Sequence, residues 1–243
     1  MSSDRVRVTV TGFLLLAALA GCSASSGPRI HPRLPLRLSA LGDSVPAGSG
    51  CHCQPYPELV GGPAHTANGA VAGYQSQDVV DQLDQARDVQ AAVAGSPVVL
   101  IEVGANDVAE TEACGTTVAC YRPKLGPLQT NLTRIVARVR QLTHAHPLQV
   151  VLVNYWSVWL AGRYAQDRGA AYVTAAESLT TQVNAVIAEV ARRSGAVEVD
   201  LVRAFGGPDG TDDETAALAP DGDHPNAAGQ ARIAQAVEQA LSG

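Results

Sequence analysis

The stretch Val98–Asp107, "VVLIEVGAND", decides the fold class of this chain. The run from Val98 to Gly104 is apolar nearly throughout and does not alternate between polar and apolar residues. Such a run is typical of a strand that is covered on both faces, as in a parallel sheet. Asn106 and Asp107 follow it directly, and ligands bind parallel sheets beyond the carboxyl ends of the strands. The stretch therefore predicts a buried strand with a functional position at its end.

Strand and helix patterns alternate along the rest of the chain. Similar apolar runs predict strands over residues 36–41, 148–156 and 196–202. Between them, apolar residues recur at steps of three and four, which indicates one face of a helix; these are Leu128, Leu132, Ile135, Val139 and Leu142, then Leu179, Val183, Val186 and Val190. A shorter helix is predicted after Tyr74, and a last one near Asn226, a favourable N-cap residue. The alternation predicts one parallel sheet with helices on both sides.

Composition agrees with one globular domain and argues against a nucleic-acid partner. The chain has 243 residues, of which 46% are hydrophobic and 16% charged, and this is enough to bury a sizeable core. Its net charge is −6, and its basic residues are scattered. Because a nucleic-acid interface needs clustered Lys and Arg, we expect no nucleic-acid partner.

The first 21 residues have the pattern of a signal peptide. Arg5 and Arg7 precede an apolar run from Val8 to Ala20, which is too short to span a bilayer. Two cleavage sites are possible. Ala18-Leu19-Ala20 fits the small-residue rule and would release a free protein beginning at Gly21.

The second possible site is Leu19–Cys22, "LAGC", which resembles the bacterial lipobox. It is favoured because the small-residue rule alone does not require a cysteine after Gly21. In a lipobox protein, Cys22 becomes the lipidated first residue. Residues 22–35 are rich in Ser and Pro and suit a tether. We therefore expect an exported protein, held at the outer face of the bacterial cell membrane by a lipid on Cys22, or freely secreted if the first site is used.

Four further cysteines form an even set in an exported chain, which predicts two disulfides. Cys114 and Cys120 share one short polar loop and are the favoured pair. Cys51 and Cys53 would then close a tight ring, although a crossed arrangement is also possible. A zinc site that includes His52 is the alternative, but the cysteine spacing does not match the usual zinc pattern. We expect no metal.

Polar blocks follow three of the predicted strands, a fourth block lies in the region between the first two strands, and together they form a chemical set. They are Gly42-Asp43-Ser44, the glycines Gly69 and Gly73, Asn106 with Asp107, and the stretch Asp221–Asn226. A catalytic serine needs a base, the imidazole base needs a carboxylate, and the oxyanion needs fixed donors. His224 is the candidate base, and Asp221 can reach Nδ1 of its ring. Asp223 is predicted to point elsewhere, into solvent.

These four blocks resemble the SGNH hydrolases, also called the GDSL esterase/lipase family. The matching residues are Ser44 in "LGDSVPAG", Gly73 in "NGAVAGYQS", Asn106 in "VGANDV" and His224 in "DGDHPN". The resemblance covers residues 36–241 of a predicted hydrolase domain of residues 36–243. It implies a three-layer α/β/α sandwich with a flavodoxin-like parallel sheet of about five strands.

The resemblance also implies a mechanism. Ser44 would attack an ester carbonyl, His224 would take and return the proton, and Asp221 would hold the imidazole. The backbone N–H groups of Ser44 and Gly73 and the Asn106 amide would form the oxyanion hole. Gly69 is the alternative to Gly73. The resemblance implies no metal and no organic cofactor.

The chain departs from the family just after the serine, where "PAGSGCHCQPYPEL", residues 46–59, replaces a helix. We expect this insert to shape the substrate pocket. The predicted function is hydrolysis of carboxylic esters, on lipid or acylated glycan esters of the cell envelope. The alternative is a catalytically idle lipoprotein that binds an acylated ligand or a partner on the same fold.

Overall fold

Five parallel strands form the sheet of this computed structural model, which describes residues 37–143 and 147–243. In chain order they are β1 (Leu38–Gly42), β2 (Thr66–Asn68), β3 (Val98–Glu102), β4 (Gln149–Val153) and β5 (Val197–Val199). Their order across the sheet is β2-β1-β3-β4-β5, with every neighbouring pair parallel. The predicted signal peptide, the tether and Cys22 lie outside the described residues.

Nine α-helices in the described residues cover the sheet. They are α1 (Tyr56–Gly61), α2 (Ser76–Gln85), α3 (Arg87–Ala94), α4 (Val118–Tyr121), α5 (Leu125–Leu142), α6 (Gly162–Asp167), α7 (Ala170–Ser194), α8 (Leu201–Gly206) and α9 (Ala227–Ser242). On one face α5 packs against α2 and α7, and on the other α9 packs against α1 and α8. The apolar positions predicted for α5 and α7 are buried, apart from half-buried Leu142 and Val186, and each helix also buries residues outside the predicted stripe, such as Val136 and Ile187.

The predicted α/β/α sandwich with a parallel five-stranded sheet is confirmed. The strand order is that of the flavodoxin-like doubly wound sheets. Asn226 caps α9 as predicted, because its side-chain oxygen accepts hydrogen bonds from the N–H groups of Ala228 and Gly229. One strand was missed. β2 has three residues, Thr66–Asn68, at the sheet edge, and none of them is buried.

Strand ends place the polar blocks together at the carboxyl edge of the sheet. β1 and β3 are adjacent and in register from Leu38 opposite Val98 to Gly42 opposite Glu102. Their following loops, which hold Ser44 and Asn106, therefore leave the sheet side by side. In the part of the chain that the structure describes, no helix is both long and apolar enough to cross a membrane.

Candidate active site

Ser44 stands on a turn that a close backbone contact at the end of β1 sets in place. Gly42 has φ +143°, and a Cβ at this position would collide with the carbonyl oxygen of Glu102 on β3. Only glycine fits such a contact. The Asp43 N–H then donates to the same carbonyl at 3.1 Å, and the carbonyl of Ser44 accepts from Ser49 N–H at 2.9 Å. Ser44 is thus held at the edge of the sheet, half-buried.

His224 is joined to Asp221 in one tight turn. Its Nδ1 lies 3.0 Å from Oδ2 of Asp221. The other carboxylate oxygen, Oδ1, accepts from the backbone N–H groups of His224 and Asp223, each at 3.0 Å. Partial burial raises the pKa of Asp221, but these hydrogen bonds outweigh it and hold the pKa below its usual value. Asp221 is therefore a carboxylate that orients the imidazole, with Nε2 left for another partner.

Asp223 is exposed to solvent as predicted, but it lies close to the His224 ring and does not point away from it. Its Oδ2 lies 4.0 Å from Nε2 of His224, and it lines the same cleft as Ser44 and His224. Its side chain is half-exposed, yet desolvation raises its pKa, while the nearby imidazole opposes the rise. The turn therefore sets a carboxyl group on each side of the His224 ring.

Ser44, His224 and Asn106 line one open cleft of about 730 Å³. Among the described residues, none forms a hydrogen bond with the Ser44 hydroxyl or accepts one from its backbone N–H. Ser44 and His224 are therefore in the same cleft without a hydrogen bond between them. Catalytic hydrogen bonds often form only when substrate binds. A hydroxyl, an oriented imidazole and free N–H donors around one cleft can carry out acyl transfer.

Asn106 connects its loop to the loop that contains Gly73. Its Nδ2 donates to the carbonyl of Tyr74 at 2.9 Å, which leaves the second amide hydrogen for another acceptor. Gly73 is exposed, with φ +84°, and no described residue accepts from its N–H. Gly73 is not among the residues that line the cleft. Gly69 instead donates its N–H to Ala40 within the sheet, at 2.8 Å, so it has no donor left.

Asp107, next to Asn106, shapes the loops and takes no place in the cleft lining. It accepts hydrogen bonds from the N–H and the hydroxyl of Ser76, at 2.8 and 2.5 Å, where α2 begins. Asn131 of α5 donates to the same hydroxyl at 3.0 Å. Burial raises the pKa of Asp107, although the bonds from Ser76 oppose the rise. This chain of bonds fixes the loop on which Asn106 stands.

Two buried carboxyl groups lie beneath the serine turn. Asp43 was named in the first sequence block, but its burial was not predicted, and Glu102 was missed. Asp43 and Glu102 are 1% and 0% exposed. Asp43 accepts from the Tyr155 hydroxyl at 2.5 Å and from the Val45 N–H at 3.1 Å. Burial raises the pKa of Asp43 to about 7, against the effect of these two bonds. Burial and the nearby charge of Asp43 also raise the pKa of Glu102 well above its usual value.

Tyr56 completes this buried cluster. It is fully buried, and burial followed by the charge of Glu102 raises its pKa well above the usual value. Its hydroxyl is close enough to Glu102 to stabilise that carboxylate, but no well-formed hydrogen bond joins the two groups. The Tyr56 N–H donates to the Gln230 side chain at 2.7 Å, and Gln230 donates to the Val45 carbonyl at 3.2 Å. The cluster thus reaches the serine turn.

Aromatic side chains form one wall of the cleft, and an ion pair stands at its edge. The aromatic residues are Tyr155, Trp156, Trp159 and Tyr172. Arg168 pairs with Glu110 at 2.8 Å and lies 4.4 Å from the centre of the Tyr172 ring. Both charged residues line the cleft. This wall offers apolar contact to an acyl group and charge to a polar group.

Trp156 also lines a second groove, of about 1180 Å³, that adjoins the cleft. The two share Trp156, Ser157 and Leu160. Trp156 is stacked on Phe205 of α8, with 4.4 Å between ring centres and 12° between planes. Trp156 therefore contributes to both open spaces while its indole packs against α8.

Both predicted disulfides are present at bonding distance, as Cys51–Cys53 and Cys114–Cys120, with Cα atoms 5.0 and 5.7 Å apart.

The predicted role of the insert, residues 46–59, in shaping the substrate pocket is wrong. Val45, directly before the insert, lines the cleft, but none of residues 46–59 does. The insert instead touches the Asp221–His224 turn through Gly50. Within the described residues, no group of three His, Cys, Asp or Glu side chains is arranged to hold a metal ion.

The solved structures with a similar fold include lipases and esterases. The lipase Lip_vut3 from a goat rumen metagenome is 16% identical, with a TM-score of 0.68, over 86% of this chain and 98% of that one. Phospholipase A1 from Streptomyces albidoflavus NA297 is 21% identical, with a TM-score of 0.62, over 83% and 98%. Axe2, an acetylxylan esterase from Geobacillus stearothermophilus, is 19% identical, with a TM-score of 0.57, over 85% and 94%. At these identities the likeness shows the fold.

Sequence comparison gives the family. The fold, together with the match of residues 40–232 to the GDSL-like lipase/acylhydrolase family, defines a carboxylic ester hydrolase. The chain belongs to this GDSL-like lipase/acylhydrolase family. No curated protein sequence matches it. The resemblance predicted from the four blocks is confirmed.

Proposed function

We propose that the protein hydrolyses carboxylic esters through an acyl-enzyme on Ser44. The observation that carries this proposal is the 3.0 Å contact between Asp221 and Nδ1 of His224. Because this contact occupies Nδ1, Nε2 is left for the serine, and His224 lines the same cleft as Ser44. His224 takes the proton of the serine hydroxyl and returns it to the leaving alcohol. Asp221 stabilises the imidazolium that forms between these steps.

The oxyanion of the tetrahedral intermediate is bound by three donors. They are the N–H groups of Ser44 and Gly73 and the second amide hydrogen of Asn106. Support comes from Ser44 and Asn106, which both line the cleft: no described residue accepts from the Ser44 N–H, and Asn106 uses one of its two amide hydrogens in the bond to Tyr74. Water then releases the acyl group by the same steps in reverse.

Labelling with a fluorophosphonate probe tests the nucleophile. We expect the wild type and Ser157→Ala to be labelled and Ser44→Ala to remain unlabelled. Ser157 is the matched control, because it also lines the cleft, while its hydroxyl is engaged with the backbone of Trp159 and Leu160. If the wild type took up no label, the idle lipoprotein that binds an acylated ligand would replace this proposal.

We propose envelope lipid or acylated glycan esters as the substrates. The aromatic wall suits an acyl chain, and the similar structures include a phospholipase and an acetylxylan esterase. Hydrolysis rates on acetyl, butyryl and long-chain esters of one alcohol separate the two classes. Rates that rise with chain length favour a lipid, and activity confined to acetyl esters favours an acetylated glycan.

We propose that the protein is anchored outside the cell by a lipid on Cys22. The support is the "LAGC" pattern, followed by a stretch rich in Ser and Pro. In a bacterial host, the wild type is expected in the membrane fraction and Cys22→Ser in a soluble one. A wild-type protein that is soluble and begins at Gly21 would show that the alternative cleavage site is used.

A further inference from the structure

Gly50, within the insert, lies against the acid and base of the site. It has φ +70°, and a Cβ placed on it would lie 2.9 Å from Oδ2 of Asp221 and 2.9 Å from Cβ of His224. A Cβ atom does not approach other heavy atoms so closely, so any larger residue would have to displace the turn. Oδ2 is also the oxygen that contacts Nδ1 of His224. The backbone at Gly50 therefore limits where the side chains of Asp221 and His224 can lie.

The turn of residues 48–53 is fixed on both sides of Gly50. Before it, Ser49 N–H donates to the Ser44 carbonyl at 2.9 Å, and this bond connects the turn to the serine. After it, the Cys51–Cys53 disulfide closes a ring of three residues. His52 within the ring has φ +49°, and it is the one non-glycine residue of the described chain with positive φ. This conformation is uncommon for residues other than glycine, and His is one of the types that adopt it most often.

We propose that the 48–53 turn positions the Asp221–His224 pair relative to Ser44, with Gly50 as the contact and the Cys51–Cys53 ring as the brace. The inference rests on the proposed function and deepens it. The turn touches the nucleophile through Ser49 and the acid and base through Gly50, and the disulfide ring follows directly after Gly50, so the turn sets the distance between them. Residues 49–53 do not line the cleft, so the turn acts on turnover and not on substrate binding.

Two glycine variants test the contact. Gly50→Ala forces a methyl group against Asp221 and His224. Gly62→Ala is the matched control, because Gly62 has φ +78° and a Cβ there would meet nothing within 4 Å. Misplacing reacting groups by about 1 Å can cost about 100-fold in rate. We therefore expect Gly50→Ala to lower kcat by roughly 10- to 100-fold with KM unchanged, and Gly62→Ala to keep the wild-type kcat. Equal kcat values for the two variants would overturn the proposal.

Removal of the brace gives a second variant that is useful even if Gly50→Ala does not fold. In Cys51→Ser/Cys53→Ser the ring is open, while Gly50 is intact. We expect kcat to fall and KM to remain, in protein whose circular dichroism matches the wild type at the assay temperature. A folded double variant with wild-type kcat would show that the ring does not brace the site.

An NMR measurement separates this proposal from the esterase proposal. In the wild type, the Nδ1 proton of His224 should resonate far downfield because it is bonded to Asp221. We expect it to move upfield in Gly50→Ala and to stay in place in Gly62→Ala. If that shift is seen in a protein that hydrolyses no ester, the proposed function fails and the positioning role stands. If the wild type is active and the proton does not move, the positioning role fails alone.

Discussion

Replacement of Asp43 by Asn should change how stability depends on pH. The folded protein binds the Asp43 proton more tightly than the unfolded chain, because burial raises its pKa from 3.8 to about 7. One pKa unit corresponds to about 1.4 kcal/mol, so this rise corresponds to about 4 kcal/mol. The tighter binding of this proton stabilises the folded protein fully below pH 3.8, and this stabilisation is lost as pH rises to about 7. Asn cannot ionise and does not suffer this loss.

Urea unfolding of the wild type and of Asp43→Asn between pH 4 and pH 8 measures the effect. We expect the free energy of unfolding of the variant, relative to the wild type, to rise with pH by up to about 4 kcal/mol. Glu102 stays ionisable and buried, so part of the wild-type dependence remains in both proteins. Asp88→Asn, at an exposed position on α3, is the control and should follow the wild type at every pH. A difference between Asp43→Asn and the wild type that is constant with pH would refute the reasoning.

Three further predictions concern the site and its support. Asn106→Ala should lower kcat by about 100-fold with little change in KM, as expected for a lost oxyanion donor; steady-state kinetics measures this, and an equal rise in KM would contradict it. In Asp221→Asn the amide oxygen can still accept from the two backbone N–H groups, but the amide N–H faces Nδ1 of the imidazole and favours the wrong tautomer. The kcat should therefore fall by about 10⁴-fold while the protein stays folded. Asn226→Ala should lower the free energy of unfolding by about 1 to 2 kcal/mol in urea, because the cap of α9 is lost; an unchanged midpoint would count against the cap.

The sheet and its helices could be predicted because their signals are local. The run at Val98 and the apolar steps along α5 and α7 each lie within one element, and burial on a covered sheet or helix face imposes them. The Asp221–His224 contact was also predictable, since it spans three residues of one turn. β2 gave no such signal, because three residues at a sheet edge, none of them buried, need no apolar pattern.

The buried acids and the position of the insert depend on contacts between distant parts of the chain. Glu102 did carry a signal, since a glutamate inside a strand covered on both faces must be buried. Its neighbours, Tyr56 and Asp43, lie 46 and 59 positions earlier, and no periodicity links them. In the same way, the Gly, Pro and Cys residues of the insert mark it as a departure from a helix, but only the fold shows that Gly50 meets Asp221. Loop contacts of this kind are decided by tertiary packing.

Trp156 lines the cleft, and the position of its side chain depends on a residue outside the proposed catalytic groups. Trp156 lines both the cleft and the adjoining groove, and its stacking partner Phe205 belongs to α8, which supplies none of the proposed catalytic groups. Changes in α8 can therefore widen or narrow the room for an ester without touching the serine, the imidazole or the oxyanion donors. The protein can in this way diversify in the size of ester it accepts while its reaction chemistry stays constant.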